Sequence, residues 1–224
     1  DRSNFIRQSI ASAAGLAAGL FPAGLFGREL HFTLHPEEII LKPERRPLPK
    51  ESIKFSVIGL NHGHIYGMTE AIIKGGGELV SVYAPEQELL KAFIKQYPKA
   101  RVAKSEKEIL EDKSVQLVAS ASIPIERAPL GIRVMLSGKD FMADKPGIVT
   151  LSQLKEVKKV QKKTNRIYSI MYSERLGTPA SYKADELIQA GAIGKVVQTI
   201  GLGPHRMNPK TRPDWFFDPG KAGG

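Results

Sequence analysis

Residues 55–63, with the sequence FSVIGLNHG, decide the fold class of this chain. A short strand-like segment over 54–58 runs directly into Gly59, and apolar residues at positions 65, 68 and 72 follow with helical spacing. A strand that breaks at a glycine and opens a helix brings backbone N–H groups to a phosphate at the helix N-terminus. The stretch therefore predicts a dinucleotide-binding turn.

The glycines of this turn depart from the strict G-x-G-x-x-G pattern, which would place glycine at positions 61 and 64. Asparagine and histidine stand there, and the second glycine is displaced by one position. Because asparagine tolerates a positive φ, the turn remains accessible. Alone, the match is equally typical of any tight strand–helix turn, but the alternating pattern that follows favours a dinucleotide site. The predicted cofactor-binding residues of the turn are Gly59, Asn61, His62, Gly63 and His64.

Strands and helices alternate over residues 51–176, which we assign to one dinucleotide-binding domain. The pattern predicts strands over 54–58, 79–83, 115–120, 140–143 and 166–172. It predicts helices over 65–73, 86–97, 126–137 and 151–164, and a short helix after the capping box at 105–108. The helix over 151–164 also begins with a capping box, formed by Thr150 and Gln153. Such alternation is typical of a doubly wound parallel sheet, a Rossmann-type α/β fold.

The pattern changes near Gly177, where a helix over 179–190, a strand over 196–202 and a polar loop follow. We interpret residues 177–224 as the start of a truncated C-terminal α/β domain for substrate binding and oligomerisation. The loop carries the candidate substrate residues His205, Arg206, Arg212 and Trp215. A tryptophan ring stacks on the apolar face of a sugar and charged groups bond its hydroxyls, which favours a carbohydrate-like substrate. The alternative is an ordinary solvated loop.

The end of the second predicted strand should carry an acid that accepts hydrogen bonds from the adenosine ribose. Ala84 occupies the expected position, and Glu86 follows two residues later. Glu86 is therefore the candidate ribose-binding residue, although an acid in the first turn of a helix is equally explained by the helix dipole. No arginine stands nearby to mark a 2′-phosphate, so the cofactor is NAD or NADP.

Lys145 is the sharpest catalytic candidate. It follows the strand over 140–143, at the edge of a parallel sheet where ligands bind. Beside a nicotinamide, a lysine can hydrogen-bond a substrate hydroxyl and favour its alkoxide. Asp144 is its expected orienting partner, and Pro146 allows a cis peptide bond. The alternative is an exposed lysine in a strand–helix loop.

Composition excludes several classes of function. The chain has no cysteine, hence no disulfide or thiolate nucleophile, and no His/Asp/Glu cluster with metal-ligand spacing, so no metal is predicted. The net charge of +10 lies partly on lysines of the helix over 151–164, opposite its apolar residues Leu151, Leu154, Val157 and Val160. No nucleic-acid module is visible, so a solvated helix face explains these lysines and no nucleic-acid partner is expected.

Residues 1–50 are interpreted as an export leader followed by a proline-rich linker. Arg2 and Arg7 precede an uncharged apolar run over 10–26, a pattern close to a twin-arginine signal with Ser3 at the second arginine position. The expected location is therefore outside the cytoplasm, in the periplasm of a bacterium. A membrane contact is expected only through an uncleaved leader, and the alternative is a cytoplasmic protein.

Five segments carry a family resemblance: FSVIGLNHG at 55–63, SGKDFMADKPGIVT at 137–150, YSIMYSER at 168–175, LIQAGAIGKVV at 187–197 and RPDWFFDPGKAGG at 212–224. Together they resemble the glucose–fructose oxidoreductase, inositol dehydrogenase and rhizopine-catabolism (Gfo/Idh/MocA) family. The family's Glu-Lys-Pro appears here with Asp144 in place of glutamate. Its Thr-Pro-Asn signature, with a histidine soon after, appears as Ser122-Ile123-Pro124 with Arg127 at the histidine position.

The resemblance implies an NAD(P)-dependent oxidoreductase that transfers a hydride to or from a sugar or polyol-like hydroxyl. It implies cofactor contacts by Ser122 and Pro124, Lys145 in the active site, and a catalytic Asp/His segment beyond residue 224. It also implies a homo-oligomer when the chain is full length. One alternative is a glycosidase of the family, which uses tightly bound NAD without net turnover. Another is a non-catalytic binding protein on a degenerate Rossmann fold, suggested by Asn61, Ala84 and Ile123.

Overall fold

The structure, a computed structural model, describes residues 52–173, 177–203 and 207–223. The leader and linker expected over 1–50, and the candidate substrate residues His205 and Arg206, lie outside the described residues. None of the helices in the described part of the chain has the length and apolar character needed to cross a membrane.

A six-stranded parallel sheet forms the centre of the fold. Its strands are β1 (Lys54–Ile58), β2 (Glu78–Tyr83), β3 (Arg101–Val102), β4 (Leu117–Ser120), β5 (Asp140–Asp144) and β6 (Tyr168–Met171). They lie in the order β3-β2-β1-β4-β5-β6. This is the order of a doubly wound Rossmann sheet, in which a ligand crevice opens beyond the carboxyl ends of β1 and β4.

Helices connect the strands. They are α1 (His64–Lys74), α2 (Gln87–Gln96), α3 (Glu106–Glu111), α4 (Pro124–Leu136) and α5 (Leu151–Thr164), followed by α6 (Pro179–Gln189) and the short α7 (Pro219–Ala222). Two 3₁₀ turns, Pro209–Thr211 and Asp214–Phe217, precede α7. For every strand except β3, the predicted bounds agree with the observed bounds to within two residues. The same holds for the long helices α1, α2, α4 and α5. The sequence reading missed β3, because two residues are too few to give an alternating pattern.

The core covers both faces of the sheet. Phe55 and Val57 of β1 pack with apolar residues of α1 and α2, whereas Ile58 packs with α4 on the opposite face. Both predicted N-caps are confirmed, since Ser105 accepts from Glu108 N at 3.3 Å and Thr150 accepts from Gln153 N at 3.1 Å. The side chains of Glu108 and Gln153 accept from the residue before each cap rather than from the cap itself, so the reciprocal bond of a capping box is not formed.

Two predictions about apolar residues are wrong. Leu151 is 85% exposed, because α5 packs on α4 through Val157 and Val160 instead. The segment 196–202 forms no strand, and its Val197 and Leu202 are each 90% exposed. A strand requires a hydrogen-bonded neighbour, and none of the described residues supplies one there.

Candidate cofactor-binding and active site

The turn after β1 is built around Gly59, whose φ is +83°. A Cβ at this position would lie 2.6 Å from Cβ of Ser122, which follows β4. Only glycine combines this φ with so close an approach. The two loops are also joined by backbone bonds, because Ala121 N donates to Gly59 O at 3.2 Å and His62 N donates to Ala121 O at 3.0 Å.

No side chain of the described residues caps the helix that follows the turn. The N-cap of α1 is Gly63, which has an ordinary helical φ of −61° and makes no side-chain capping bond. A Cβ on Gly63 would meet no atom within 4 Å. The backbone does not require glycine here. Ile65 N and Tyr66 N already donate to His62 O and Gly63 O, at 3.2 and 3.3 Å, so it is the helix dipole that favours an anion at this end.

Glu86 lies in a cavity of about 440 Å³ beside the turn, lined also by Gly59, Asn61 and Ser122. Asn61 Nδ2 donates to Glu86 Oε1 at 2.7 Å. Glu86 Oε2 is buried and has no hydrogen-bond partner among the described residues. A buried oxygen of this kind is unusual in a folded protein and marks a place for a donor. Asn61, a departure from the glycine pattern, thus orients Glu86, the candidate ribose-binding acid.

The cavity is otherwise rich in carboxylates. Burial raises the pKa of Glu126, and the negative charge of Glu86 raises it further. The one arginine of the lining, Arg133, donates to both oxygens of Glu106, at 2.6 and 3.0 Å. Pro124 is buried at the first position of α4, where proline suits helix initiation. It does not line the cavity, whereas Ser122 does.

Asp144, at the end of β5, is 1% exposed and holds the neighbouring loops together. Its Oδ2 accepts from His62 Nδ1 at 2.8 Å, and its Oδ1 accepts from His64 Nδ1 at 2.9 Å and from Lys145 N at 2.7 Å. Burial raises the pKa of Asp144, but the bond from His62 and the charge of Arg127 outweigh it and lower the pKa to about 2. The carboxylate is ionised, so each Nδ1 donates and a neutral ring keeps its lone pair at Nε2.

The same three side chains have the composition of a metal site, because possible ligand atoms of His62, His64 and Asp144 lie within 4.8 Å of one another. Spacing in the sequence did not reveal this group. Each carboxylate oxygen already has two partners, and one of these is the guanidinium of Arg127, whose Nη2 lies 3.1 Å from Oδ2. A second cation would sit beside that charge, so the geometry favours a hydrogen-bonded network over metal binding.

Arg127 was not among the residues predicted for the site, although it stands at the histidine position of the family pattern. It is 1% exposed. Burial lowers the pKa of Arg127, and Asp144 acts in the opposite direction. Its Nε donates to Ser122 O at 2.7 Å and its Nη1 donates to Pro146 O at 3.1 Å. The guanidinium therefore connects the loops that follow β4 and β5.

Lys145 begins the loop after β5 and is half-buried, and its peptide bond to Pro146 is cis. No carboxylate among the described residues forms an ion pair with its ammonium. A second cavity, of about 430 Å³, is lined by Asp144, His64 and the bare face of α1 at Gly63 and Gly67. Lys145 itself lines neither of the two cavities, although its loop begins beside Asp144 at the sheet edge.

The loop predicted to bind substrate reaches this site in part. The Trp215 ring lies edge-on to the His62 ring, with 6.4 Å between centroids. Arg212 instead lies over Phe216, 4.6 Å from the ring centroid, and donates to Met207 O. Trp215 is therefore near the predicted cofactor residues, whereas Arg212 is occupied within its own loop.

Comparisons with known proteins identify relatives of this chain. A candidate oxidoreductase from Erwinia carotovora atroseptica SCRI1043 is 39% identical, with a TM-score of 0.74, over 77% of this chain and 51% of that one. The uncharacterized oxidoreductase YdgJ of Escherichia coli (strain K12) is 25% identical over 151 residues, which are 66% of this chain and 42% of YdgJ. A levoglucosan dehydrogenase, solved with NADH and levoglucosan, shares the fold at 19% identity, with a TM-score of 0.64, over 78% of this chain and 50% of its own.

This chain spans about half the length of these relatives or less. A family model described as an oxidoreductase family with an NAD-binding Rossmann fold matches residues 53–172, just over half of the chain. The chain accordingly belongs to the Gfo/Idh/MocA oxidoreductase family, and residues 53–172 are its NAD-binding Rossmann domain.

Proposed function

We propose that this chain supplies the cofactor-binding part of an NAD-dependent oxidoreductase that acts on a hydroxyl or carbonyl of a sugar or polyol-like substrate. The observation that carries the proposal is the meeting of two loops at one sheet edge. The dinucleotide turn after β1 is bonded through His62 and His64 to Asp144, and Asp144 is bonded to the backbone N–H of Lys145. These bonds support the proposal, because they hold the loop that begins with Lys145 beside the dinucleotide turn.

The described residues fit a dinucleotide. Gly59 and the N-terminus of α1, which has no side-chain cap, suit the pyrophosphate, because they allow close approach and present the positive end of the helix dipole. The Nε2 atoms of His62 and His64 face away from Asp144 and are further donors or acceptors for the cofactor. The unpartnered Glu86 Oε2 suits a ribose hydroxyl, which would supply the missing donor.

The charge of the cavity favours NAD over NADP. Glu86, Glu106 and Glu126 all line it, and Arg133 is already paired with Glu106. A 2′-phosphate bound there would face carboxylates without a free cation, which is strongly unfavourable in a partly buried site. A ribose hydroxyl meets no such repulsion.

Lys145 supplies the polar chemistry of the reaction. The cofactor, when bound, accepts or returns a hydride. The ammonium of Lys145 donates a hydrogen bond to the substrate oxygen and stabilises the negative charge that develops on it. Trp215, close to His62, offers an aromatic face suited to a sugar ring. The chain spans only about half the length of its relatives, so the activity proposed here is that of the whole protein.

Substitution of Lys145 tests the proposal in the full-length enzyme. Lys145→Ala should lower kcat by about 10²–10³, the cost of one transition-state donor, with little change in NAD affinity. Lys145→Arg should not restore kcat, because a planar guanidinium does not replace a compact ammonium. Lys155→Ala, on the exposed face of α5, is the matched control.

Two results would contradict the proposal. Near wild-type turnover by Lys145→Ala would make Lys145 an ordinary loop residue. Product formation from a glycoside without net accumulation of NADH would identify the glycosidase instead, since only a dehydrogenase turns over its cofactor.

A further inference from the structure

We propose that Arg127 is a positioning residue that fixes the loop carrying Lys145 through its ion pair with Asp144. The inference rests on the proposed role of Lys145. It assigns a function to a buried charged side chain that the sequence pattern did not single out as a site residue.

The contacts of Arg127 lie on both sides of Lys145 along the chain. Its Nη2 is 3.1 Å from Asp144 Oδ2, and its Nη1 donates to Pro146 O at 3.1 Å. Its Nε donates to Ser122 O at 2.7 Å, which ties the group to the loop that contacts Gly59. One guanidinium therefore sets the residue before Lys145, the residue after it, and their place relative to the dinucleotide turn.

This task requires an arginine. A guanidinium presents its N–H donors in a rigid planar fork, so that three acceptors in fixed directions are satisfied at once. A lysine ammonium carries the same charge on a flexible stem and cannot reproduce the fork. A buried ion pair is not in general a source of stability compared with apolar packing, which makes geometric control the better account of Arg127 and Asp144, each 1% exposed.

The two residues also depart together from the family pattern that the chain resembles, which has histidine and glutamate at these positions. Here the basic side chain is longer and the acidic one is shorter, and the two are in contact. A shorter basic side chain at position 127 would thus need a longer acidic one at position 144 to keep the contact. A change in one residue should be compensated by the matching change in the other.

A double-substitution experiment in the full-length enzyme separates positioning from general stability. Arg127→Lys should lower kcat about tenfold to a hundredfold, as expected for a small misplacement of a catalytic group, while the Kd for NAD changes much less. In the Lys145→Ala background the same Arg127→Lys change should have almost no further effect on kcat. A merely structural arginine would lower kcat equally in both backgrounds, and that result would overturn the inference.

Further variants test the positioning role even if Arg127→Lys fails to fold. If Arg127→Lys does not fold, Asp144→Glu is measured in the same way, since it keeps every charge and displaces only the carboxylate. Arg127→His combined with Asp144→Glu should recover at least part of the kcat that Arg127→His loses, and no recovery would count against the pairing. Arg101→Lys, in an exposed pair with Glu108, should leave kcat unchanged. Retained activity of Lys145→Ala would contradict the proposed function itself. An equal loss of kcat caused by Arg127→Lys in both backgrounds would contradict only the positioning role of Arg127.

Discussion

Replacing Asp144 by asparagine should make the protein less sensitive to acid. The pKa of Asp144 is lowered from 3.8 to about 2 by the bond from His62 and the charge of Arg127, which outweigh burial. One pKa unit corresponds to about 1.4 kcal/mol, so ionised Asp144 contributes about 2 kcal/mol to the free energy of unfolding at neutral pH. Because the folded-state pKa is the lower one, this contribution is complete above about pH 4 and is lost as the pH falls through about 2.

The assay is urea unfolding of the wild type and of Asp144→Asn at pH 5 and pH 3. Between pH 5 and pH 3, the free energy of unfolding should fall by about 1 kcal/mol more for the wild type than for the variant. The reason is that the carboxyl group of Asp144 takes up its proton in this pH range in the unfolded chain but not in the folded protein. Asp144→Asn should also be less stable than the wild type at pH 5, since it leaves the buried Arg127 without its counter-charge. Equal losses of stability between pH 5 and pH 3 in both proteins would refute the reasoning.

Two further predictions concern packing and location. Gly131→Ala should lower the free energy of unfolding by about 1–3 kcal/mol, because the new Cβ would overlap the Tyr168 ring and lie 2.5 Å from the Phe141 ring. Gly67→Ala, in α1 with no atom within 4 Å of a Cβ, should instead be neutral or stabilise by up to about 1 kcal/mol, and denaturant unfolding of both variants checks the contrast. We also propose that residues 1–27 direct export; fractionation of cells should place the precursor's product outside the cytoplasm, and cytosolic protein unaffected by deletion of 1–27 would contradict this.

The architecture could be predicted from local patterns. Each long helix and each strand longer than β3 carries its own periodicity or capping signal, and alternation along the chain implies a parallel sheet. The position of Lys145 followed from the same logic, because the carboxyl ends of parallel strands share one edge. The predicted strand over 196–202 failed because an apolar run specifies no pairing partner.

The contacts that define the site could not be predicted in this way. Asn61 and Glu86 are 25 residues apart, and His62 and Asp144 are 82 apart, so no local pattern connects them. Read singly, Asn61, Ala84 and Ile123 suggested a degenerate cofactor site. In the structure Asn61 orients Glu86 and Arg127 pairs with Asp144, so that departures from the family pattern compensate one another.

The central claim is that the cavity beside Gly59 binds NAD through Glu86, and calorimetric titration of the full-length protein with NADH and NADPH tests it most directly. NADH should bind at least about tenfold more tightly than NADPH, and Glu86→Ala should weaken NADH binding about tenfold to a hundredfold, as expected for loss of a hydrogen bond to a charged group. Glu88→Ala, an exposed neighbour paired with Lys91, should leave both affinities unchanged. Failure of both cofactors to bind at millimolar concentration, or an undiminished affinity of Glu86→Ala for NADH, would contradict the account.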